Sequence, residues 1–302
     1  MDGVNVLHHI FSLGHAAALL GCGSALFWGG GDFYGGVGVR AAGGTIRASL
    51  KLILLAHFVS LVLIVALACS LHMPFPHGPA LWWGLGSGAA TALGLMWFYV
   101  ALSLGNMGPA AAISGLLSAG IPALVGIFAE GAPGALQAIG FFAAAGAIWL
   151  IAAGTPGDRV SRRTLTLSIL AGVSFALYFI GLRMANGAGV LWAMAATRMG
   201  SVIVTSAVLS VMALVHRGGA PEPRFTRRAV RFAMMTVLLD TAGNMMFIAA
   251  TRAGRLDVAA VLASLYPAST ILLAAWLLHE HPTARQRWGM ALALAAVVMI
   301  TL

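Results

Sequence analysis

The sequence predicts an all-α membrane protein: ten transmembrane helices arranged as two inverted five-helix repeats. Three observations predict this. The composition is too apolar for water, ten apolar runs of spanning length follow one another with short breaks, and the chain resembles itself at a fixed offset of 149 residues.

The chain has 302 residues, of which 60% are hydrophobic and 8% charged. An ordinary soluble domain carries about 25% charged residues. So little charge cannot cover the surface of a protein this size in water, and lipid is the solvent the composition fits. The net charge of +9 raises nucleic acid as a partner. No polar domain is present to bind it, and basic loops are the expected mark of a cytoplasmic membrane face. Cys22 and Cys69 lie in apolar stretches without metal-ligand spacing and read as small core hydrophobes. The opening MDGVNVLHHIFSLGH holds no Lys or Arg. It lacks the basic region of a cleavable signal, so the first apolar segment is expected to stay.

A helix needs about 20 mostly apolar residues to cross some 30 Å of hydrocarbon. Between polar or Pro/Gly breaks, ten such segments run over 13–38, 48–71, 79–104, 107–129, 134–153, 164–185, 190–215, 229–251, 256–278 and 284–302. The turns between them are short, such as GNMGP at 105–109 and EGAPG at 130–134, and the longest polar loop is HRGGAPEPRFTRR at 216–228. The loops after segments 1, 5, 7 and 9, with their flanks, hold 13 of the 17 basic residues. Those after even segments hold Arg183, Arg252 and Arg255. Basic loops stay in the cytoplasm. The expected location is therefore the inner (plasma) membrane, with odd-numbered loops cytoplasmic and both termini outward.

Shifted by 149, Gly94, Phe98, Gly105, Leu116, Pro133, Gln137 and Gly140 fall on Gly243, Phe247, Gly254, Leu265, Pro282, Gln286 and Gly289, and Gly23 falls on Gly172. The expected units are 1–153 and 154–302. Five spans is an odd number, so the second unit enters the membrane the other way up. Inverted repeats of this kind are the architecture of secondary transporters, in which two similar halves exchange conformations around a central site.

The stretch AATRAGRLDVAAVLASLYPASTILLAAWLLHEHPTARQRWGMALALAAVVMI, residues 249–300, resembles the C-terminal half of the EamA-type repeat of the drug/metabolite transporter superfamily. Pro267, Glu280 and Gly289 match that repeat's proline after a Ser-containing apolar run, its acid ending the ninth span and its glycine in the tenth. FWGGGDF, from Phe27 to Phe33, resembles the tryptophan–glycine motif of the family's first span, with Asp32 where Asn is common. The resemblance implies a fold and a transport role. It does not imply a substrate, because relatives are credited with amino acids, sugars, nucleotide conjugates and drugs.

Three ionisable residues fall inside segments: Asp32, Arg198 and Asp240. A charge at the bilayer centre costs at least ~2.5–3.5 kcal/mol, so such residues face a partner or a wet cavity. Each lies on a polar stripe at helical spacing: Trp28 with Asp32, Asp240 with Asn244, and Arg198 with Ser201 and Thr205. Arg198 can serve structurally by pairing with one carboxylate. One Arg cannot neutralise two Asp, so one carboxylate is left for a proton or a cationic group on a solute. The sequence leaves open which one. Tyr266 precedes Pro267 inside segment 9, where a broken helical ladder frees backbone carbonyls for a cavity or simply makes a kink. The expected pathway residues are Asp32, Asp240, Arg198, Trp28, Asn244 and Tyr266.

The remaining polar residues carry plainer readings. Asp257 follows Arg255 in a turn and is expected to cap segment 9. Glu280 is expected at a membrane interface, His279 and His281 do not share a helix face, and His8, His9 and His15 form no ligand pattern. No metal or cofactor is expected. Gly29, Gly30, Gly31, Gly35, Gly36 and Gly38 let helices approach closely and let the first span bend.

A rival comes from another class. GGGD satisfies the Gly-x-Gly-Asp signature of intramembrane aspartyl proteases, and Asp240 offers a second acid to share a proton. That class also pairs its first acid with a preceding Tyr, and no Tyr-Asp occurs here. It predicts no two-fold repeat either. A passive channel or lipid-handling scaffold is a further alternative. The expected function is secondary transport of a small organic solute, with protons as candidate coupling ion and no enzymatic activity. No Gly-x-x-x-x-Gly-Lys loop for ATP is present, so a gradient is the expected energy source. The expected partners are the solute and membrane lipid, with the protein working as a monomer or homodimer.

Overall fold

Long runs of Leu, Ala and Ile without a breaker favour helix, because no water is at hand in lipid to satisfy an open backbone. The computed structural model describes residues 3–43, 45–103, 107–152, 161–215, 226–277, 279 and 283–301. Among these residues the chain forms eleven α-helices, one 3-10 turn and no strand. The helices are α1 (Gly3–Ala41), α2 (Ile46–Ser70), α3 (Pro79–Ser103), α4 (Met107–Glu130), α5 (Ala135–Ala152), α6 (Arg162–Met184), α7 (Gly189–Val215), α8 (Arg227–Ala253), α9 (Leu256–Ala263), α10 (Tyr266–Leu277) and α11 (Ala284–Thr301). The 3-10 turn Ala185–Ala188 links α6 to α7.

Five described stretches are long and apolar enough to cross a membrane: Ile46–Ser70, Ile113–Glu130, Arg162–Val215, Arg227–Ala253 and Leu256–Leu277. The third of these contains both α6 and α7. Ala135–Ile151 is a shorter apolar helix. The protein is a multi-pass membrane protein.

Two helices depart from the expected segments. Helix α1 begins at Gly3 rather than near residue 13, because nothing in VNVLHHIFSLGH breaks a helix. Its 39 residues extend roughly 58 Å at 1.5 Å per residue, about twice the hydrocarbon thickness. Segment 9 is two helices. Proline at 267 donates no N–H and clashes with the carbonyl four residues back, so α9 ends at Ala263 and α10 restarts at Tyr266. Across the break, Ser264 N–H reaches the Ala260 carbonyl at 3.0 Å and Leu265 N–H the Leu262 carbonyl at 3.2 Å.

Three helices after basic loops start on a hydroxyl cap. Thr45, Ser161 and Thr226 accept from the N–H groups of Ala48, Thr164 and Ala229 at 3.1, 3.0 and 3.1 Å.

Glycine sets how closely the helices pack. The largest contacts join α1 to α8, α3 to α6 and α5 to α11. A Cβ added at Gly140 would lie 2.7 Å from Ile300 Cγ1, and one at Gly289 would lie 2.7 Å from Ile151 Cγ1. Both the two glycines and the two isoleucines are 149 residues apart, so the α5–α11 contact is reciprocal, as contacts across a two-fold axis are. The pairs α1–α8 and α3–α6 exchange under the same offset. At those contacts Gly243 seats Trp28 and Gly94 seats Phe175. Helix α3 meets α7 closely at Gly88, where a Cβ would fall 1.9 Å from the Thr197 carbonyl oxygen.

Candidate functional site

The buried charge in this protein is built around α7. Arg198 is 1% exposed and must be answered by neighbours, since an unpaired cation there is costly. Its Nη2 donates to Asp240 Oδ2 on α8, and its Nε donates to Ser60 Oγ on α2 at 3.2 Å. Ser60 Oγ also lies 2.7 Å from Thr241 Oγ1. Asn244, one turn beyond Asp240, donates from Nδ2 to Asp240 Oδ1 at 3.0 Å and to the Asp240 carbonyl at 2.6 Å. On α2, His57 Nδ1 lies 2.6 Å from Ser201 Oγ, and Nε2 lies 3.8 Å from Asp240 Oδ2. Arg198, Asp240, Asn244, His57, Ser60, Ser201 and Thr241 thus tie α2, α7 and α8 together through one polar network.

Asp32 stands beside this network without entering it. Gly31 brings α1 against α8: a Cβ there would lie 3.4 Å from Asp240 Cβ and 3.3 Å from its backbone N. The next side chain, Asp32, is exposed, and among the described residues it makes no hydrogen bond or ion pair. This settles which carboxylate Arg198 takes. It also corrects the expectation that all three charges are buried. One turn on, Gly36 has no atom within 4 Å of the place its Cβ would occupy.

Exposure is graded along the helices. Trp28, one turn before Asp32, is 8% exposed. Its ring stacks on Phe179 with centroids 5.4 Å apart and lies 5.5 Å from Phe247 and 6.5 Å from Tyr178. On α8 the side chain of Asp240 is 29% exposed, while Asn244 and Phe247, deeper along the helix, are buried. Exposure thus falls from Asp32 and Asp240 toward a buried aromatic floor of Trp28, Tyr178, Phe179 and Phe247. Tyr266 lies on another flank of α1. A Cβ at Gly29 would come 2.6 Å from the Tyr266 carbonyl, and Thr270 Oγ1 donates to the Gly29 carbonyl at 3.1 Å, closing α10 onto α1.

Beyond the aromatic floor a second ionic cluster joins the helix ends. Arg183 on α6 donates to Glu130 Oε1 at 3.3 Å and to the Thr251 carbonyl at 2.7 Å. Glu130 Oε2 accepts from Leu256 N–H at 3.1 Å, starting α9. Arg255 donates to Asp257 Oδ2 at 2.6 Å and to the Glu130 carbonyl at 3.1 Å. Its bond to Asp257 raises the Arg255 pKa above the ordinary value, which keeps the guanidinium charged. Asp257 is not the cap of α9; that position is Arg255. Its carboxylate sits in the first helical turn, fully buried, and accepts from Val258 N–H at 2.8 Å. The cluster ties α4, α6, α8 and α9 together. Shifted by 149, Arg183, Arg255 and Asp257 fall on Tyr34, Asn106 and Gly108, so these charges have no counterpart at that offset.

His57 is the network residue that sequence reasoning missed, and Asp257, expected only to cap segment 9, is instead a buried partner of Arg255. The available signal for His57 was a lone imidazole in the apolar α2 with Ser60 on the same face. Glu280 and His281 lie outside the described residues. Among the described residues no group of three or more His, Cys, Asp or Glu is placed to hold a metal ion. An apolar groove between α4 and α5, lined by Leu116, Ala123, Phe141 and Phe142 among others, offers no polar side chain to a solute.

Residues 162–302 match the model of the EamA-like transporter family. No curated protein matches the chain. A solved structure titled only "Crystal structure of protein" aligns with a TM-score of 0.74 over 95% of this chain and 98% of its own, at 14% sequence identity. At that identity the likeness concerns the fold alone.

Proposed function

We propose that this chain, whose second half matches the EamA-like transporter family, is a secondary carrier that moves a small organic solute by alternating access. The observation that carries this reading is Asp32: an exposed carboxylate that makes no hydrogen bond or ion pair among the described residues, beside the Arg198–Asp240 pair. The reciprocal α5–α11 contact supports two inverted five-helix halves, 1–153 and 154–302. Two such halves can trade conformations, opening the site to each face in turn.

On this reading the site opens toward the end carrying Arg40, which the basic-residue count assigns to the cytoplasm of an inner membrane. The aromatic floor and the Glu130–Arg183–Arg255–Asp257 cluster hold the opposite end shut. To open that end, the protein must part Arg183 from Glu130 and shift α9 against α4. The glycines of α1 permit the bending this requires. Asp32 accepts a proton or a solute group, which couples the solute to a proton gradient. Arg198 and Asn244 take both Asp240 oxygens, an arrangement that favours the carrier over two acids sharing a proton for proteolysis.

The test is exchange in proteoliposomes. A thermal-shift screen of metabolites on the purified protein supplies the solute. Its uptake is expected to accelerate when the same solute is loaded inside, and to respond to an imposed pH difference. Uptake indifferent to both would leave a channel.

A further inference from the structure

We infer that the solute is an organic cation, one ammonium group on an aromatic or otherwise apolar body. The inference rests on the carrier reading of the same site and follows from which charges a solute can reach.

Arg198 cannot bind an anion entering the site, because it is 1% exposed and its Nη2 and Nε are committed to Asp240 and Ser60. Asp240 is neutralised by that contact. His57 is buried, with Nδ1 on Ser201 and Nε2 facing Asp240. Asp32 is left as the reachable ionisable group, an acid whose charged form is negative. The basic residues near the opening do not reverse this sign. Arg47 donates to the Met212 carbonyl at 2.8 Å, and Arg40 and Lys51 are exposed. Arg40 follows Asp32 by eight residues, roughly 12 Å along the helix. That exceeds the Debye length of about 8 Å at physiological salt. An anionic solute therefore gains nothing at the depth of Asp32, whereas a cation finds an acid whose ionised form attracts it.

The rest of the space suits an apolar body. Gly36 leaves room beside the carboxylate. One turn deeper stands Trp28, 8% exposed and electron-rich toward a cation, backed by the buried rings of Tyr178, Phe179 and Phe247.

The probes are benzyltrimethylammonium, a permanent cation with an aromatic ring, and 3-phenylpropionate, an anion of similar size. Each is titrated calorimetrically into detergent-purified wild type, Asp32→Asn and Asp32→Glu, and each is followed into proteoliposomes. Wild type is expected to bind the cation about tenfold or more tightly than the anion, and Asp32→Asn to weaken cation binding by about the same factor. Asp32→Glu, which keeps the charge, should retain it. Anion binding equal to or tighter than cation binding would overturn the inference. So would no cation binding up to millimolar concentration, or an unchanged Kd in an Asp32→Asn protein that melts like wild type. The carrier reading fails separately. Bound benzyltrimethylammonium without trans-stimulated uptake removes the carrier and keeps the charge class, while trans-stimulated uptake of the anion does the reverse.

Discussion

Asp32→Asn is expected to reduce gradient-driven solute exchange about tenfold or more while leaving the fold intact. The two halves of this result have separate causes. Function is lost because Asp32 is the accessible acid of the site that does not pair with Arg198. Stability is kept because Asp32 makes no hydrogen bond or ion pair among the described residues and is exposed, so its amide replaces nothing and strands nothing. Substitutions of that kind stay within about 0.5 kcal/mol. Exchange in proteoliposomes and thermal melting of the same preparation check both halves. An Asp32→Asn protein that exchanges solute at the wild-type rate would remove Asp32 from the mechanism.

Asp240→Asn is expected to do the opposite, destabilising the protein by about 3–5 kcal/mol. Arg198 would keep its burial and lose its counter-charge, and its remaining contact with Ser60 is with a neutral hydroxyl. The matched control is Arg198→Met with Asp240→Leu. Removing both charges leaves nothing unpaired, and apolar replacements of a buried pair are often neutral or stabilising. The double variant should therefore recover much of the melting temperature without recovering transport. A single Asp240→Asn variant as stable as wild type would contradict the assignment of Asp240 as the structural acid. Of two carboxylates facing one space, one holds helices together and the other is left for chemistry.

The sequence carried the architecture further than the site. Composition and segment length express the solvent directly, so the all-helical membrane class was legible residue by residue. The offset of 149 was legible because glycines at helix crossings cannot be exchanged for larger residues: Gly140 seats Ile300 and Gly289 seats Ile151. The break in segment 9 was signalled by Pro267. The pairing of Arg198 was not legible, since three charges on three segments fit two ion pairs, and the choice depends on how α1 and α8 lie against α7. The exposure of Asp32 was hidden for the same reason. His57 escaped because a neutral imidazole adds nothing to a charge count. Asp257 was read as a cap and its burial was not legible, because its partner Arg255 is two residues away and the pair reads as a surface turn.

The most direct measurement is whether water reaches the space beside Asp32. Gly36→Cys, on a background with Cys22→Ala and Cys69→Ala, places a thiol where the structure has room for it. In membrane vesicles of known orientation, a membrane-impermeant thiol reagent added on the side of the basic loops is expected to modify it. If the impermeant reagent fails from both sides while a lipid-soluble maleimide reacts, the thiol faces lipid, and Asp32 does not line a transport pathway.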